Sequence, residues 1–202
     1  MIEVNVRKKI QNFFLDVNFS EKGIIAITGK NGSGKSTLLN IISGVLPPDD
    51  GYVRVDGQDI TRLPINKRNI VLVTPQSFIP NLPVKKHLIW GAKLRGMKIK
   101  GDEVKEVSKL LGIADLEKKV GQLSLGNKEK VSLATALIAK PKLILVDEAF
   151  SNITNREDFI SIFKELCKRN GIQLIYVSQN VEDTKFSDHH YVMVNGSLHK
   201  VF

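Results

Sequence analysis

Apolar and polar residues alternate through Ile2, Val4 and Val6 and again through Leu15, Val17 and Phe19, a period of two that turns one face of each segment toward a core. These segments read as an opening antiparallel hairpin or meander, continued by Val53 and Val55 between the turns Asp49-Asp50-Gly51 and Asp56-Gly57. Elsewhere the alternation disappears. Ile24-Ile25-Ala26-Ile27-Thr28, Ile70-Val71-Leu72-Val73, Leu143-Ile144-Leu145-Val146 and Leu174-Ile175-Tyr176-Val177 are near-continuous apolar runs, the pattern of strands covered by helices on both faces. Residues 83–95, 102–111 and 125–139 have helical spacing with no strand between them, which predicts a helical insertion. The chain closes with a strand at residues 190–194, the turn Asn195-Gly196 and a short final strand. The expected fold class is α/β, a mainly parallel core sheet with an N-terminal antiparallel part. It forms one discontinuous domain, with its core in residues 1–76 and 141–202 and its helical subdomain in residues 77–140.

Composition narrows the class. With 202 residues, 42% of them hydrophobic and 25% charged, the chain has the balance of a soluble protein with one sizeable core. No apolar run approaches the roughly 20 residues needed to span a bilayer, and residues 1–9 carry charges where a secretion signal would be apolar. A cytoplasmic location is expected. The lone Cys167 has no disulfide partner and no metal-ligand companions, so it reads as a packing residue. The net charge of +9 would suit a nucleic acid, an anionic membrane or an acidic partner. Its lysines, however, fall in short clusters such as Lys85-Lys86 and Lys118-Lys119 without interleaved aromatics. They read as a solvated surface, and no nucleic-acid partner is expected.

The most specific chemistry lies in Gly29-Lys30-Asn31-Gly32-Ser33-Gly34-Lys35-Ser36-Thr37, a complete G-x-x-x-x-G-K-[ST] phosphate loop between an apolar strand and an apolar helix face made by Leu38, Leu39, Ile41 and Ile42. Glycines let the backbone curl so that several N–H groups meet one anion, and the helix N-terminus adds its partial positive charge. Asn31, Gly32, Ser33 and Gly34 would cradle a nucleoside triphosphate. Lys35 would hold the β and γ phosphates, Ser36 would present its hydroxyl to Mg²⁺, and Thr37 would add a phosphate contact. Leu143 to Asp147-Glu148 is an apolar strand ending in two carboxylates, and ligands of parallel sheets sit at the carboxyl ends of strands. Asp147 would support Mg²⁺ and Glu148 would polarise the attacking water as general base. Gln76, following Pro75, offers a neutral amide to both Mg²⁺ and that water.

A further element, Leu123-Ser124-Leu125-Gly126-Asn127, opens the helical segment that precedes Asp147. The ordered set of residues 29–37, Gln76, 123–127 and 143–148 closely resembles the nucleotide-binding subunit of ATP-binding cassette (ABC) transporters over almost the whole chain. That resemblance implies the P-loop NTPase fold of ABC type and the cofactors ATP and Mg²⁺. It implies two subunits, identical or not, packed head to tail. Each ATP would lie between the phosphate loop of one and the signature of the other, where Ser124, the Gly126 backbone and a helix N-terminus meet the γ-phosphate. It also implies an integral-membrane transporter partner contacted near residues 77–96, with the chain peripheral on the inner face of the cell membrane.

Departures from the family pattern are as informative. Leu125 stands where glycine is usual, Asn127 for glutamine, Ala149 for proline, Thr154 for aspartate, and Gln179 for a histidine that contacts the γ-phosphate. Thr154 with Glu157 reads as a T-x-x-E capping box. Lys8, Lys9 and Ile10 offer no aromatic ring for adenine, and Phe13 or Phe14 read first as core residues. Three functions stay open: a transport ATPase subunit, a soluble ABC protein, and an ATP-binding subunit that hydrolyses weakly and pairs with a more active partner. Residues 64–95 resemble oxyanion importers, whereas Leu125-Gly126-Asn127-Lys128 looks more like certain exporters.

Overall fold

The computed structural model describes residues 1–202 and divides into two compact units. The first comprises Met1–Leu72, Lys142–Asp147 and Gln173–Phe202, the second Val73–Pro141 and Glu148–Ile172. In chain order the elements are β1 (Ile2–Ile10), β2 (Phe13–Glu21), β3 (Ile24–Thr28), α1 (Lys35–Ser43), β4 (Asp50–Val55), β5 (Gln58–Asp59), β6 (Ile70–Val73), α2 (Val84–Leu88), α3 (Trp90–Leu94), α4 (Gly101–Leu110), α5 (Leu125–Ile138), β7 (Leu143–Asp147), α6 (Arg156–Arg169), β8 (Gln173–Val177), β9 (His189–Val194) and β10 (Ser197–Lys200).

The strands form one 10-stranded sheet in the order β5-β4-β1-β2-β10-β9-β3-β8-β7-β6. Its antiparallel end follows from the alternating pattern. Val4 pairs with Phe19 and with Val53, so Ile2, Val4, Val6, Leu15, Val17, Phe19, Val53 and Val55 share one face, none more than 5% exposed. The parallel part follows from the continuous runs. β3 pairs in parallel with β8 and β9, β8 with β7, and every residue from Ile24 to Thr28 is buried. One apolar run departs from expectation: Ile70, Val71 and Leu72 are only half-buried, because β6 is the outermost strand and has a sheet neighbour on one side alone. The closing hairpin is as expected, with Asn195 and Gly196 both at positive φ between β9 and β10.

Arg68 fixes the helix that follows the phosphate loop. Its guanidinium is 5% exposed and donates to four backbone carbonyls, those of Leu63 (2.9 Å), Ile41 (3.2 Å), Ile42 (3.1 Å) and Thr61 (2.7 Å). Two of these belong to the last turn of α1, where carbonyls lack helical partners and a cation complements the dipole. Burial holds the Arg68 pKa below its ordinary value, while nearby Asp59 pulls it back up. Replacing the fork by an apolar chain strands those carbonyls, and an unsatisfied buried polar group costs on the order of 1–3 kcal/mol. Arg68→Met is therefore expected to lose about 3 kcal/mol or more, read as a lower urea midpoint. An unchanged midpoint would show that water replaces the guanidinium at no cost.

In the second unit, α5 is surrounded by α2, α3 and α4, and accordingly is apolar on most of its circumference, with Val131, Leu133, Ala134, Ala136, Leu137 and Ile138 buried. The stretch read as one helix over residues 83–95 is two. The break falls at Ile89 (φ −93°, ψ −3°), where the preceding His87 carbonyl also accepts from the Thr135 hydroxyl at 3.3 Å. Phe150, Phe159 and Phe163 form an aromatic cluster with centroids 6.1–6.3 Å apart against α6. The start of α6 corrects the capping-box reading. Asn155, left-handed at φ 52°, occupies the N-cap without a side-chain cap bond, so the helix begins one residue too late for Thr154 to cap it. Cys167 is buried and unbridged, as expected of a packing residue, and burial pushes its thiol pKa well up.

Candidate functional site

β3 ends at Thr28, and the loop of residues 29–34 delivers the chain to the first turn of α1 at Lys35. Gly34 caps the helix at φ 110°, and a Cβ on it would stand 2.7 Å from Phe13 Cζ, so both backbone angle and space demand glycine. Within the loop, Ser33 N–H donates to Lys30 O (3.2 Å), and Gly196 N–H from the last hairpin donates to Ser33 O (2.9 Å). The Lys35 side chain folds back over the loop. Its Nζ donates to Gly29 O (2.8 Å) and Lys30 O (2.9 Å), which fixes the ammonium inside the curve of the backbone. Ser33 Oγ is buried there with no hydrogen-bond partner in the chain. Asn31, Gly32 and Ser36 are exposed, and Thr37 is half-buried. A positive helix terminus, a fixed ammonium and a polar group without a partner make a cradle suited to phosphate oxygens.

Sheet register brings further polar groups to the same strand ends. Asp147 on β7 lies opposite Val177 on β8, which lies opposite Ile27 on β3, so Asp147 and the ends of β8 and β3 lie side by side. Gln179, two residues past β8, lines an open cleft of about 460 Å³ together with Thr28, Gly29, Lys30, Asn31, Val181 and Val192. Its loop is held from beneath. The Ser178 hydroxyl donates to Asp183 Oδ2 (2.5 Å) and accepts from Asn180 N–H (3.0 Å), and Tyr176 OH donates to Asp183 O (2.6 Å). Asp183, 1% exposed, was not singled out from sequence, where it is one acid among several in a polar stretch.

The β1–β2 hairpin settles part of the aromatic question. Phe13 packs partly buried against the core and fills the space beside Gly34, whereas Phe14 is 53% exposed. Both line a shallow cleft of about 550 Å³ with Lys9, Gln11 and Asn12. Phe14 is thus not a core residue.

Four of the sequence-predicted residues belong to the second unit. Gln76 is exposed in a turn fixed by Thr74 N–H to Ser77 Oγ (2.9 Å) and Phe78 N–H to Gln76 O (2.7 Å). Ser124 caps α5, its Oγ accepting from Asn127 N–H at 3.4 Å. A Cβ on Gly126 would collide with the Asn152 carbonyl, so only glycine lets the segment after Glu148 lie against this helix. Glu148 is half-buried and left-handed at φ 58°, an unusual backbone state for a side chain that costs on the order of 1–3 kcal/mol and clusters at functional positions. Within residues 77–96, His87 Nε2 accepts from Ile79 N–H (3.1 Å), so Nδ1 carries the proton and donates to Thr135 Oγ1 (2.9 Å). Burial holds the His87 pKa below its usual value. Trp90 and Leu94, 43% and 72% exposed, present apolar surface from the same stretch.

No group of three or more His, Cys, Asp or Glu forms a metal cage. The Ser36 hydroxyl and the Asp147 carboxylate are hard oxygen donors. Such a sparse set fits Mg²⁺, which keeps waters and takes part of its shell from a substrate's phosphates.

The family model described as ABC transporter matches residues 14–151. The chain is 36% identical over 212 residues to the molybdate/tungstate import ATP-binding protein WtpC of Thermococcus kodakarensis, covering 100% of this chain and 64% of that protein. It is 33% identical over 209 residues to the molybdenum import ATP-binding protein ModC of Rhizobium meliloti, covering 98% and 58%. The chain thus spans roughly three fifths of the length of these relatives. Among solved structures, an ATP-binding cassette of an ABC transporter in its ADP conformation superposes with a TM-score of 0.81 at 26% identity, over 98% of this chain and 89% of that one.

Proposed function

The chain belongs to the ABC transporter family, and on that premise we propose that it is the ATP-binding subunit of an importer, hydrolysing MgATP to drive a separate integral-membrane subunit. One observation carries the reading: the loop of residues 29–34 holds the Lys35 ammonium on the Gly29 and Lys30 carbonyls, beside a cleft that Gln179 also lines. Asn31, Gly32, Ser33, Gly34 and Thr37 receive the phosphates. Ser36 and Asp147, with Gln76, hold Mg²⁺, which would neutralise phosphate charge as it develops. Glu148 polarises the attacking water, with Gln76 and Gln179 orienting it. A second subunit, related head to tail, contributes Ser124 and the Gly126 backbone to the γ-phosphate. Import is favoured over export because these relatives are import ATP-binding proteins. Trp90 and Leu94 give residues 77–96 an apolar surface for the membrane partner. No helix is long and apolar enough to cross a membrane.

A second reading, a weakly hydrolysing subunit paired with a more active one, is favoured by Gln179 and by Leu125, whose 61% exposed side chain stands at the start of α5. Calorimetric titration with MgATP tests what the two readings share. Lys35→Ala removes charge-assisted contacts worth about 1.5–3 kcal/mol, so affinity is expected to fall roughly 10–150-fold. Equal affinity in the variant would overturn the assignment of Lys35 and with it the site.

A further inference from the structure

We propose that Glu129, resting on the ATPase reading above, is a positioning residue that holds the loop carrying Glu148 and ties it to the first turns of α5. Glu129 is 2% exposed. Its Oε2 accepts from Asn152 N–H (3.0 Å) and its Oε1 from Asn152 Nδ2 (2.7 Å). Asn152 Nδ2 also donates to Ser151 Oγ (3.2 Å), and the Ser151 hydroxyl donates to Glu148 O (2.9 Å). A continuous chain of hydrogen bonds thus runs from a helix side chain to the backbone of the residue held at φ 58°.

Two features separate this arrangement from ordinary packing. First, the lysines on either side turn away, Lys128 to the Phe78 ring (5.3 Å) and Lys130 to the Phe159 ring (5.7 Å), so the buried carboxyl is given to a loop and not to an ion pair. Burying an acid is costly, and an apolar residue would serve a purely structural contact at least as well. Second, Gly126 lies one helical turn before Glu129, and its missing Cβ is what admits the Asn152 carbonyl. The turn that carries Ser124 and Gly126 therefore grips the Glu148 loop at two points. Any shift of that turn on contact with a nucleotide is passed to the backbone of the general base.

The chemistry of the pair supplies a specific test. Both oxygens of Glu129 are acceptors, so Glu129→Gln places an amide N–H against a donor and breaks one bond. Asn152→Asp breaks the same bond from the other side. The double variant exchanges carboxylate and amide, so both bonds between residues 129 and 152 are restored, one with reversed polarity, while residue 152 no longer donates to Ser151 Oγ. With calorimetric MgATP affinity within about threefold of wild type, each single variant is expected to lower kcat about 10–100-fold, the scale on which small misplacements of a catalytic group act. The exchange variant is expected to recover part of it, staying below wild type by what the Ser151 link contributes. Hydrogen exchange without nucleotide gives a second readout: the residue 152 backbone N–H, which keeps its own acceptor on residue 129 in every variant, is expected to exchange faster in each single variant, where the side-chain half of the clamp is lost, and to return toward the wild-type rate in the exchange variant. Should Glu129→Gln fail to fold, Asn152→Ala at this exposed loop position opens the same contact and carries the same expectation. Wild-type kcat in the single variants, or an exchange no better than either, would overturn the positioning role. Wild-type exchange rates at residue 152 in both single variants would overturn the contact. Absence of MgATP turnover in wild type, with the exchange pattern intact, would instead overturn the ATPase reading and leave a structural tie.

Discussion

Glu148→Gln is expected to leave MgATP affinity within a few-fold of wild type while slowing hydrolysis at least about a hundredfold, the lower end of what a positioned general base contributes. The substitution is nearly isosteric. Ser151 bonds the backbone carbonyl of residue 148, not its side chain, so that restraint survives the change, as does the left-handed backbone. What is lost is the ability to take a proton from water, since an amide has no basic oxygen at neutral pH. Binding and chemistry should therefore separate cleanly, which a collapsed loop would not allow. Because ATP would then persist, the head-to-tail dimer should accumulate and be visible by gel filtration with MgATP. Turnover at the wild-type rate would remove Glu148 from the chemistry. Slow turnover with only monomer would leave the base in place and count against the dimer or against the competence of Leu125-Gly126-Asn127 at its interface.

What the chain discloses before folding is decided by how local the physics is. Strand type was legible because it depends on the immediate neighbours of each residue: alternation at Ile2, Val4 and Val6 marks a one-faced strand, and the run from Ile24 to Thr28 marks a covered one. The phosphate loop was legible because its residues are contiguous and its glycines, lysine and hydroxyls each have a separate reason to be there. Partial cover of Ile70 to Leu72 was not, since the identity of the last strand in a sheet is a property of topology. The start of α6 was misread because a Thr-x-x-Glu spacing is satisfied on paper, whereas the chain enters that helix through a left-handed Asn155. Glu129 and Asn152 lie far apart in sequence, and nothing in either segment announces the other. A clue did exist: Glu129 shares a helix face with Leu133 and Ala136, both buried, and a charge on an apolar face needs a partner. Asp183 carried no such clue, being set in a short 3₁₀ turn where periodicity says little.

Gln179→His is expected to raise steady-state hydrolysis, by up to the roughly 10²–10³ that one well-placed donor to a developing oxyanion contributes. The side chain is exposed, lines the cleft beside Gly29, Lys30 and Asn31, and sits on a loop fixed by Ser178, Asn180 and Asp183. A replacement at this position therefore changes the group presented to that cleft, where the proposed site puts the γ-phosphate, without loosening its support. Glutamine offers a neutral amide that donates hydrogen bonds through its NH2 and accepts them at its carbonyl oxygen; a protonated imidazole adds positive charge where negative charge builds in the transition state. The gain should accordingly fall as pH rises past the histidine's own titration, a dependence that wild type lacks at this position. If closure of the two subunits is held back by Leu125 at the α5 start, the gain shrinks in the isolated chain and appears once the membrane partner is present. Rates for wild type and variant, each measured with and without that partner across pH 6 to 9, separate these cases. Equal rates in every setting would mean that γ-phosphate contact by residue 179 does not limit turnover, and would shift weight to a heterodimer in which the other subunit supplies the working site.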